Sequence, residues 1–215
     1  MISLSPNIHK LYSALALLCF ALLCASFCSS FVVAQEHDVV TVKLKTTRGS
    51  ILLELYPQKA PSTVNNFLRY VRARAYNGGE FYRSVTEDND NGSPKIEVIQ
   101  GGAKENTVRF EPIPHESTLS SGIQHVDGVI SMARAEPGTA QTDFFICIGD
   151  QPSLNYGGKR NVDGLGFAAF GRVIAGMDII REIHELPTTK QSDDEYLVGQ
   201  ILSKPAKIIS IEIVD

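Results

Sequence analysis

The chain has 215 residues, of which 43% are hydrophobic and 20% charged, and its formal net charge at pH 7 is −4. This length suits a leader segment followed by one domain with a single core, and the composition excludes a disordered chain. A mildly acidic sequence without a basic stripe argues against nucleic acid as the partner.

The N-terminal segment is the first predicted element. Residues 11–34 form a nearly continuous apolar run that is preceded by one cation, Lys10. Val32 and Ala34 place small residues at the spacing that a signal peptidase reads. We therefore predict a signal peptide over residues 1–34.

This leader sets the expected domain organisation and location. A short linker at 35–38 precedes one domain at 39–215, and we expect the protein in the secretory pathway. It would be secreted or held in the lumen of an endomembrane compartment, or in the periplasm if the source is bacterial. About 20 apolar residues suffice to span a bilayer, so an uncleaved anchor stays open as the alternative. We expect membrane contact only if the leader is retained.

Three of the four cysteines lie in the leader, and the domain keeps only Cys147. One cysteine cannot form an internal disulfide, so the fold depends on its core. Cys147 stands within an apolar run, which is typical of a buried, inert thiol. Residues 91–93 fit the acceptor pattern for N-glycosylation in a polar loop, and the sequence leaves its occupancy open.

The first half of the domain begins with a predicted hairpin and helix. Apolar and polar residues alternate over 40–45 and again over 51–55, with a glycine-containing turn between them, which predicts a β-hairpin. Pro61 suits the first turn of a helix whose apolar residues continue to Ala75. The pair Gly78 and Gly79 ends it.

The rest of the domain reads as short strands, loops and one more helix. The predicted elements are strands at 81–85, 96–99, 129–133, 144–148 and 167–173, a helix at 176–186, polar loops at 86–95 and 188–204, an aperiodic excursion at 103–127, and a last strand in which Ile209, Ile211 and Ile213 alternate with polar residues. These elements amount to about eight strands and two helices. Two helices are too few to cover a βαβ sheet. The pattern favours a mainly β fold, a closed eight-stranded antiparallel barrel with two helices outside it or at its mouths.

Adjacent aromatic residues in the strand at 144–148 indicate a second apolar environment. Neighbouring side chains in a strand point to opposite faces of the sheet. The rings of Phe144 and Phe145 therefore cannot both enter one core. One ring can enter the core, and the other needs a second apolar environment, which is either another layer of core or a site.

Several segments occur in the order of one known family. They are RGSILLELYPQKAPSTVNNF, FYRSV, VIQGG, HVDGVISMA, FFICIGDQPSLNYGG, FGRVIAGMDII and KIISIEI. In this order the chain from about residue 40 to its end resembles the cyclophilins, peptidyl-prolyl cis-trans isomerases built on an eight-stranded barrel with two capping helices. The match is nearest to the bacterial-type branch.

The resemblance assigns candidate site residues. It implies that Arg83 is the catalytic arginine, that Gln100 is the glutamine beside it, and that the substrate proline ring packs on Phe145. It also implies a substrate groove formed by Met132, Ala133, Arg134, Ala135, Asp143, Val98, Leu165 and Phe167. Taken alone, an arginine in a strand is usually solvated and a phenylalanine in a strand usually lies in the core. The prediction therefore depends on the occurrence of Arg83, Gln100 and Phe145 together, in the order of the family.

Departures from the family pattern leave a second function open. Glu97 and Val98 replace an aromatic residue and a methionine, and the loop at 86–95 lengthens the separation of Arg83 from Gln100. The main prediction is an isomerase of X–Pro bonds in polypeptides. The alternative is a proline-peptide binding module or chaperone with weak or no turnover.

We expect a monomer that needs no cofactor and no metal. The segment at 87–98 has Glu instead of Asp at the first position of a calcium loop and Val98 at the twelfth, and the pair His115 and Glu116 lacks the second histidine of a zinc protease. Cyclosporin should bind weakly, because Leu165 takes the family's tryptophan position and has no N–H to donate.

Overall fold

The computed structural model describes residues 39–104 and 106–214. The predicted signal peptide at 1–34 and the linker at 35–38 lie outside these residues. None of the helices in the described ranges is long and apolar enough to cross a membrane. No group of three metal-ligating side chains occurs within the same ranges.

The described residues form a closed antiparallel barrel. Its strands are β1 (Val40–Thr46), β2 (Gly49–Leu55), β3 (Glu80–Val85), β4 (Val98–Gly102), β5 (Val129–Met132), β6 (Phe144–Cys147), β7 (Ala168–Ala175), β8 (Thr188–Thr189) and β9 (Ile201–Val214). Their spatial order is β1-β2-β7-β5-β6-β4-β3-β9-β8, and an additional pairing of β1 with β9 closes the sheet. The two-residue strand β8 pairs with β9 beside the barrel. The predicted eight-stranded barrel is confirmed.

Three helices accompany the barrel in the described part of the chain, one more than predicted. They are α1 (Pro61–Arg72), α2 (Thr118–Ser121) and α3 (Met177–His184). The additional helix, α2, is a single turn within the excursion at 103–127, too short to show helical periodicity in the sequence. The same excursion places Glu116 at the start of α1, where its carboxylate accepts hydrogen bonds from the backbone N–H groups of Ser62 and Thr63. These are donors that a helix leaves unpaired, so Glu116 stabilises α1.

Aromatic rings fill the barrel interior. Phe144 lies 5.8 Å from Phe67 of α1, 5.7 Å from Tyr76 and 5.7 Å from Phe81 between ring centroids, each pair edge to face. Phe145 instead belongs to a smaller apolar cluster outside this core. The predicted division of the two rings between opposite faces is therefore correct.

The last strand departs from its predicted alternation. Lys45 of β1 pairs with Ser210, but the next residue, Thr46, pairs with Ile208, so Ile209 is an extra residue in β9. This β-bulge turns Ile209 out to solvent and buries Ile208. Ile211 is buried as predicted, whereas Ile213, near the end of the strand, is exposed.

Candidate active site

Phe145 forms the floor of a cavity on the outer face of the barrel. Strand β6 pairs with β4 and β5, which places Phe145 opposite Gln100 on one side and Ser131 on the other. The Phe167 ring meets Phe145 edge to face at 5.2 Å, and the His125 ring stacks on Phe145 at 5.9 Å with an interplanar angle of 17°. The phenylalanine is thus held from two directions.

Most of the predicted site residues meet around this floor. A cavity of about 190 Å³ is lined by seven of them, Arg83, Val98, Gln100, Ala133, Arg134, Phe145 and Phe167. Five further residues of the lining were not predicted, Ile96, Leu154, Arg160, Asn161 and Tyr196. Four of these five stand in loops without periodicity, where the sequence offers no signal for their position.

An adjoining cavity holds two more of the predicted residues. It measures about 290 Å³ and shares Gln100, Ala133 and Arg134 with the first cavity, while Ala135 and Asp143 line it separately. The two cavities together form a groove along the segment at 133–135. This is the segment that the family resemblance assigns to the substrate groove.

Two predicted residues do not reach the groove. The Met132 side chain is buried in the barrel core, because Met132 follows Ser131 on β5 and points to the opposite face. Leu165 lines neither cavity, and its carbonyl oxygen lies 3.1 Å from Nε2 of His115. Leu154, eleven positions earlier, contributes the leucine that lines the cavity.

Arg83 is held by two glutamines. Its Nη1 donates to Oε1 of Gln100 at 2.9 Å, and its Nε and Nη2 donate to Oε1 of Gln200 at 2.8 and 2.6 Å. A guanidinium carries five N–H donors. These three bonds leave two N–H groups without an acceptor among the described residues, so Arg83 can donate to a ligand in the cavity.

The orientation of Gln100 is fixed in turn by the hydroxyl of Tyr82. Nε2 of Gln100 donates to this hydroxyl at 2.6 Å, and the hydroxyl lies 3.4 Å from Oδ2 of Asp143. Burial raises the pKa of Asp143, and hydrogen bonds from Thr142 and Tyr82 and the charge of Arg109 partly offset that rise. Because Nε2 is engaged, the Gln100 carbonyl oxygen faces Arg83.

Arg134 lines both cavities, but it donates its hydrogen bonds to the protein itself. Its guanidinium donates to both carboxylate oxygens of Asp163, to the carbonyl of Gly166 from Nε and Nη2, and to the carbonyl of Ala135. All five of its donors therefore have acceptors, and its side chain is almost completely buried. The guanidinium also lies 5.3 Å from the centroid of the Phe167 ring. Arg134 thus braces the loop that carries Phe167.

His125 supports the floor as a neutral ring. Burial lowers the pKa of His125 to about 4, although the hydrogen bond to Asn155 opposes this shift. Nδ1 lies 2.8 Å from Oδ1 of Asn155, and Nε2 lies 3.0 Å from Oγ of Ser131. Since the Asn155 oxygen also accepts the His125 backbone N–H, Nδ1 carries the proton and Nε2 accepts from Ser131.

Cys147 is buried in β6, as predicted from its apolar run. Burial raises the pKa of this thiol, and the charges of Asp127 and Asp150 raise it further. A thiol in this state is a poor nucleophile. The chemistry of the groove therefore falls to the hydrogen-bond donors of Arg83 and to the apolar floor.

Comparisons with known proteins agree with this geometry. Residues 41–212 match the family model described as cyclophilin type peptidyl-prolyl cis-trans isomerase/CLD. A peptidyl-prolyl cis-trans isomerase of Acinetobacter baylyi is 35% identical over 175 residues, which cover 80% of this chain and 84% of that protein. Peptidyl-prolyl cis-trans isomerase B of Escherichia coli is 34% identical over 152 residues, which cover 68% of this chain and 85% of that protein.

A solved structure shows the same fold. The crystal structure of a cyclophilin type peptidyl-prolyl cis-trans isomerase of Cryptosporidium parvum superposes with a TM-score of 0.63 at 20% identity. The superposition covers 82% of this chain and 98% of that one.

Proposed function

Since the chain belongs to the cyclophilin-type peptidyl-prolyl cis-trans isomerases, we propose that X–Pro bonds of its polypeptide substrates rotate in the cavity between Arg83 and Phe145. The observation that carries this assignment is the pair of unpaired Arg83 N–H groups beside a buried aromatic floor. A donor and an apolar surface are the two features that the reaction requires.

The requirement follows from the nature of the barrier. Rotation about a peptide bond is opposed by amide resonance, with a barrier of roughly 18–20 kcal/mol, and uncatalysed X–Pro isomerisation takes tens to hundreds of seconds. No bond is broken, so the site needs no nucleophile. It must instead bind the twisted amide more tightly than either planar form.

Phe145 and Arg83 have separate roles in this scheme. The Phe145 ring, fixed by His125 and Phe167, holds the proline ring while the acyl side of the bond turns. Arg83 donates hydrogen bonds where the twisted amide gains charge or an exposed nitrogen lone pair, which stabilises the transition state more than the ground state. Gln100 positions the guanidinium of Arg83 and lines the same cavity.

The groove supports an extended polypeptide as substrate. The second cavity continues from the first past Ala133 and Ala135, which gives space for residues that precede the proline. The half-buried Asp143 at its far side adds an acceptor beside the hydroxyl of Tyr82. We infer that the protein acts on exposed proline segments of folding or folded chains.

The enzyme is distinguished from a binding module by turnover on a peptide. Exchange NMR on a proline-containing tetrapeptide with a catalytic amount of protein should give cis–trans exchange far faster than the uncatalysed rate. A protease-coupled assay should give the same rate constant. Binding of the peptide without accelerated exchange would contradict the enzyme and favour the binding module.

A further inference from the structure

Tyr196 brings a third aromatic ring, beside Phe145 and Phe167, to the cavity from a distant loop. It lies on the 3-10 turn Glu195–Leu197 and is 42% exposed. The centroid of its ring lies 5.2 Å from Cζ of Arg83, and the ring lines the cavity that Phe145 floors. A guanidinium at this distance from an aromatic ring is attracted to its face.

A buried ion pair holds the hydroxyl of Tyr196. Nη2 of Arg160 donates to this hydroxyl, and the same guanidinium donates to both carboxylate oxygens of Asp90 at 2.6 and 2.8 Å. The side chains of Asp90 and Arg160 are 0% and 4% exposed. Two planar groups in bidentate contact fix each other's orientation. Because Asp90 fixes the guanidinium of Arg160 in this way, Arg160 holds the Tyr196 hydroxyl, which accepts its hydrogen bond, in one position.

The inserted loop at 86–95 is bound to the segment that carries Tyr196. The side-chain amide of Asn91 donates to the carbonyls of Tyr196 and Val198, and that of Asn89 donates to the carbonyl of Gly199. The Asn89 carbonyl accepts from Nε2 of Gln200, whose Oε1 accepts from Arg83. The two loops therefore meet over the guanidinium of Arg83.

We propose that Asp90, Arg160 and Tyr196, here called the clasp, position Arg83 for catalysis. The clasp holds the Tyr196 ring beside the guanidinium of Arg83, while Gln100 and Gln200 accept hydrogen bonds from the same guanidinium. The plane of the guanidinium is then fixed with its two unpaired N–H groups directed into the cavity. This proposal rests on the proposed role of Arg83.

The test compares two tyrosines of similar exposure. Tyr196→Ala should lower kcat on a proline peptide about tenfold with KM changed less than about twofold, because positioning is lost and binding is kept. Tyr196→Phe, which keeps the ring and removes only the tethered hydroxyl, should lower kcat by about two- to threefold. The control is Tyr156→Ala, since Tyr156 is 46% exposed and lines neither cavity. It should leave kcat unchanged.

An NMR signal separates positioning from folding. In the natural protein the Nε–H of Arg83 should exchange slowly with solvent. In Tyr196→Ala its resonance should shift because the neighbouring ring is lost, and its exchange should be faster because the ring no longer shields this N–H from water. The Tyr156→Ala control should leave this resonance in place. An unchanged Arg83 resonance, or a kcat of Tyr196→Ala within twofold of the natural protein, would overturn the proposal.

A double-variant cycle separates this proposal from the function on which it rests. In an Arg83→Ala background, Tyr196→Ala should cause no further loss of kcat, since its effect passes through Arg83. An equal loss in both backgrounds would overturn the clasp and leave the role of Arg83 intact. Full activity of Arg83→Ala alone would overturn both.

Discussion

Individual side chains in this protein act through their neighbours. His125 makes no contact with the open groove, yet its neutral ring stacks on Phe145 and its two nitrogens bond Asn155 and Ser131. Protonation would place a charge in a buried site and would remove the acceptor that Ser131 uses. The floor of the cavity is therefore coupled to the charge of one histidine.

This coupling predicts a pH dependence of stability. The pKa of His125 is about 4 in the folded protein against 6.5 for a free histidine, so the unfolded chain binds a proton in this window that the folded protein does not. Stability should fall as pH drops from 6.5 to 4, by about 3 kcal/mol in total. Urea unfolding of the natural protein and of His125→Gln at several pH values measures this slope.

The comparison with the variant removes contributions from the carboxyl groups. Asp143, whose pKa is raised by burial, acts in the opposite direction, since its folded form keeps a proton longer than the unfolded chain does. That contribution is common to both proteins. Equal slopes for His125→Gln and the natural protein between pH 4 and 6.5 would show that His125 does not titrate as described.

Leu154 and Arg134 govern the expected response to cyclosporin. The sequence has no tryptophan, Leu154 lines the cavity, and every donor of Arg134 is occupied by the protein itself. Each hydrogen bond that a ligand loses typically costs about 0.5–1.5 kcal/mol, and more where a buried acceptor stays unpaired. Titration calorimetry should give weaker binding than a family member that has the tryptophan. Equal affinity would contradict this expectation.

At the scale of elements, pairing of β3 with β4 brings Arg83 and Gln100 together. They are direct cross-strand partners, so the twelve residues between the two strands do not separate them. The sequence predicts both strands but not their register across so long a loop. The inserted loop therefore leaves the contact between Arg83 and Gln100 intact.

The buried pair of Asp90 and Arg160 predicts a large effect of single substitutions on stability. Burial opposes the charge of Asp90, but hydrogen bonds from Arg160 and from the backbone N–H groups of Gly92 and Ile96 keep its pKa below the ordinary value. Asp90→Asn should destabilise the protein by about 3 kcal/mol, because a buried guanidinium loses its counter-charge. Chemical denaturation measures this difference.

An exposed ion pair provides the matched control. Arg48 and Glu182 lie 2.9 Å apart with side chains that are 40% and 53% exposed, and such exposed pairs contribute about 0–1 kcal/mol. Glu182→Gln should therefore have little effect. Similar small losses for Asp90→Asn and Glu182→Gln would show that the buried pair does not stabilise the clasp.

At the scale of the whole molecule, regular elements were predictable and loop contacts were not. The alternation rule predicted that the rings of Phe144 and Phe145 lie on opposite faces of the sheet, because strand geometry fixes it, and the family resemblance assigned Phe145 to the site. Tyr196 and Leu154 lie in aperiodic segments that reach the cavity through tertiary contacts. No pattern in the sequence distinguishes Leu154 from Leu165 as the residue that lines it.

The apolar run at 11–34 predicts processing of the N-terminus. We propose that the leader directs the chain to the secretory pathway and is cleaved after a small residue near position 34. Intact mass and N-terminal sequencing of the protein from its native cells should show a chain that begins close to Gln35. A chain that begins near Met1 and fractionates with membranes would instead indicate an uncleaved anchor.

The central claim is that Arg83 acts in the transition state of X–Pro rotation. Arg83→Ala should lower turnover by about two to three powers of ten, in line with the loss of one preorganised donor, with little change in peptide affinity. Arg83→Lys should not restore full turnover, because an ammonium cannot reproduce the planar guanidinium. Phe145→Ala should weaken both binding and turnover.

The decisive measurement is therefore the turnover and the peptide affinity of Arg83→Ala, taken by exchange NMR on one sample, with the melting temperature as the folding control. The account predicts a folded protein that binds the peptide and turns it over at least about a hundredfold more slowly. A folded Arg83→Ala protein with unchanged turnover would contradict it.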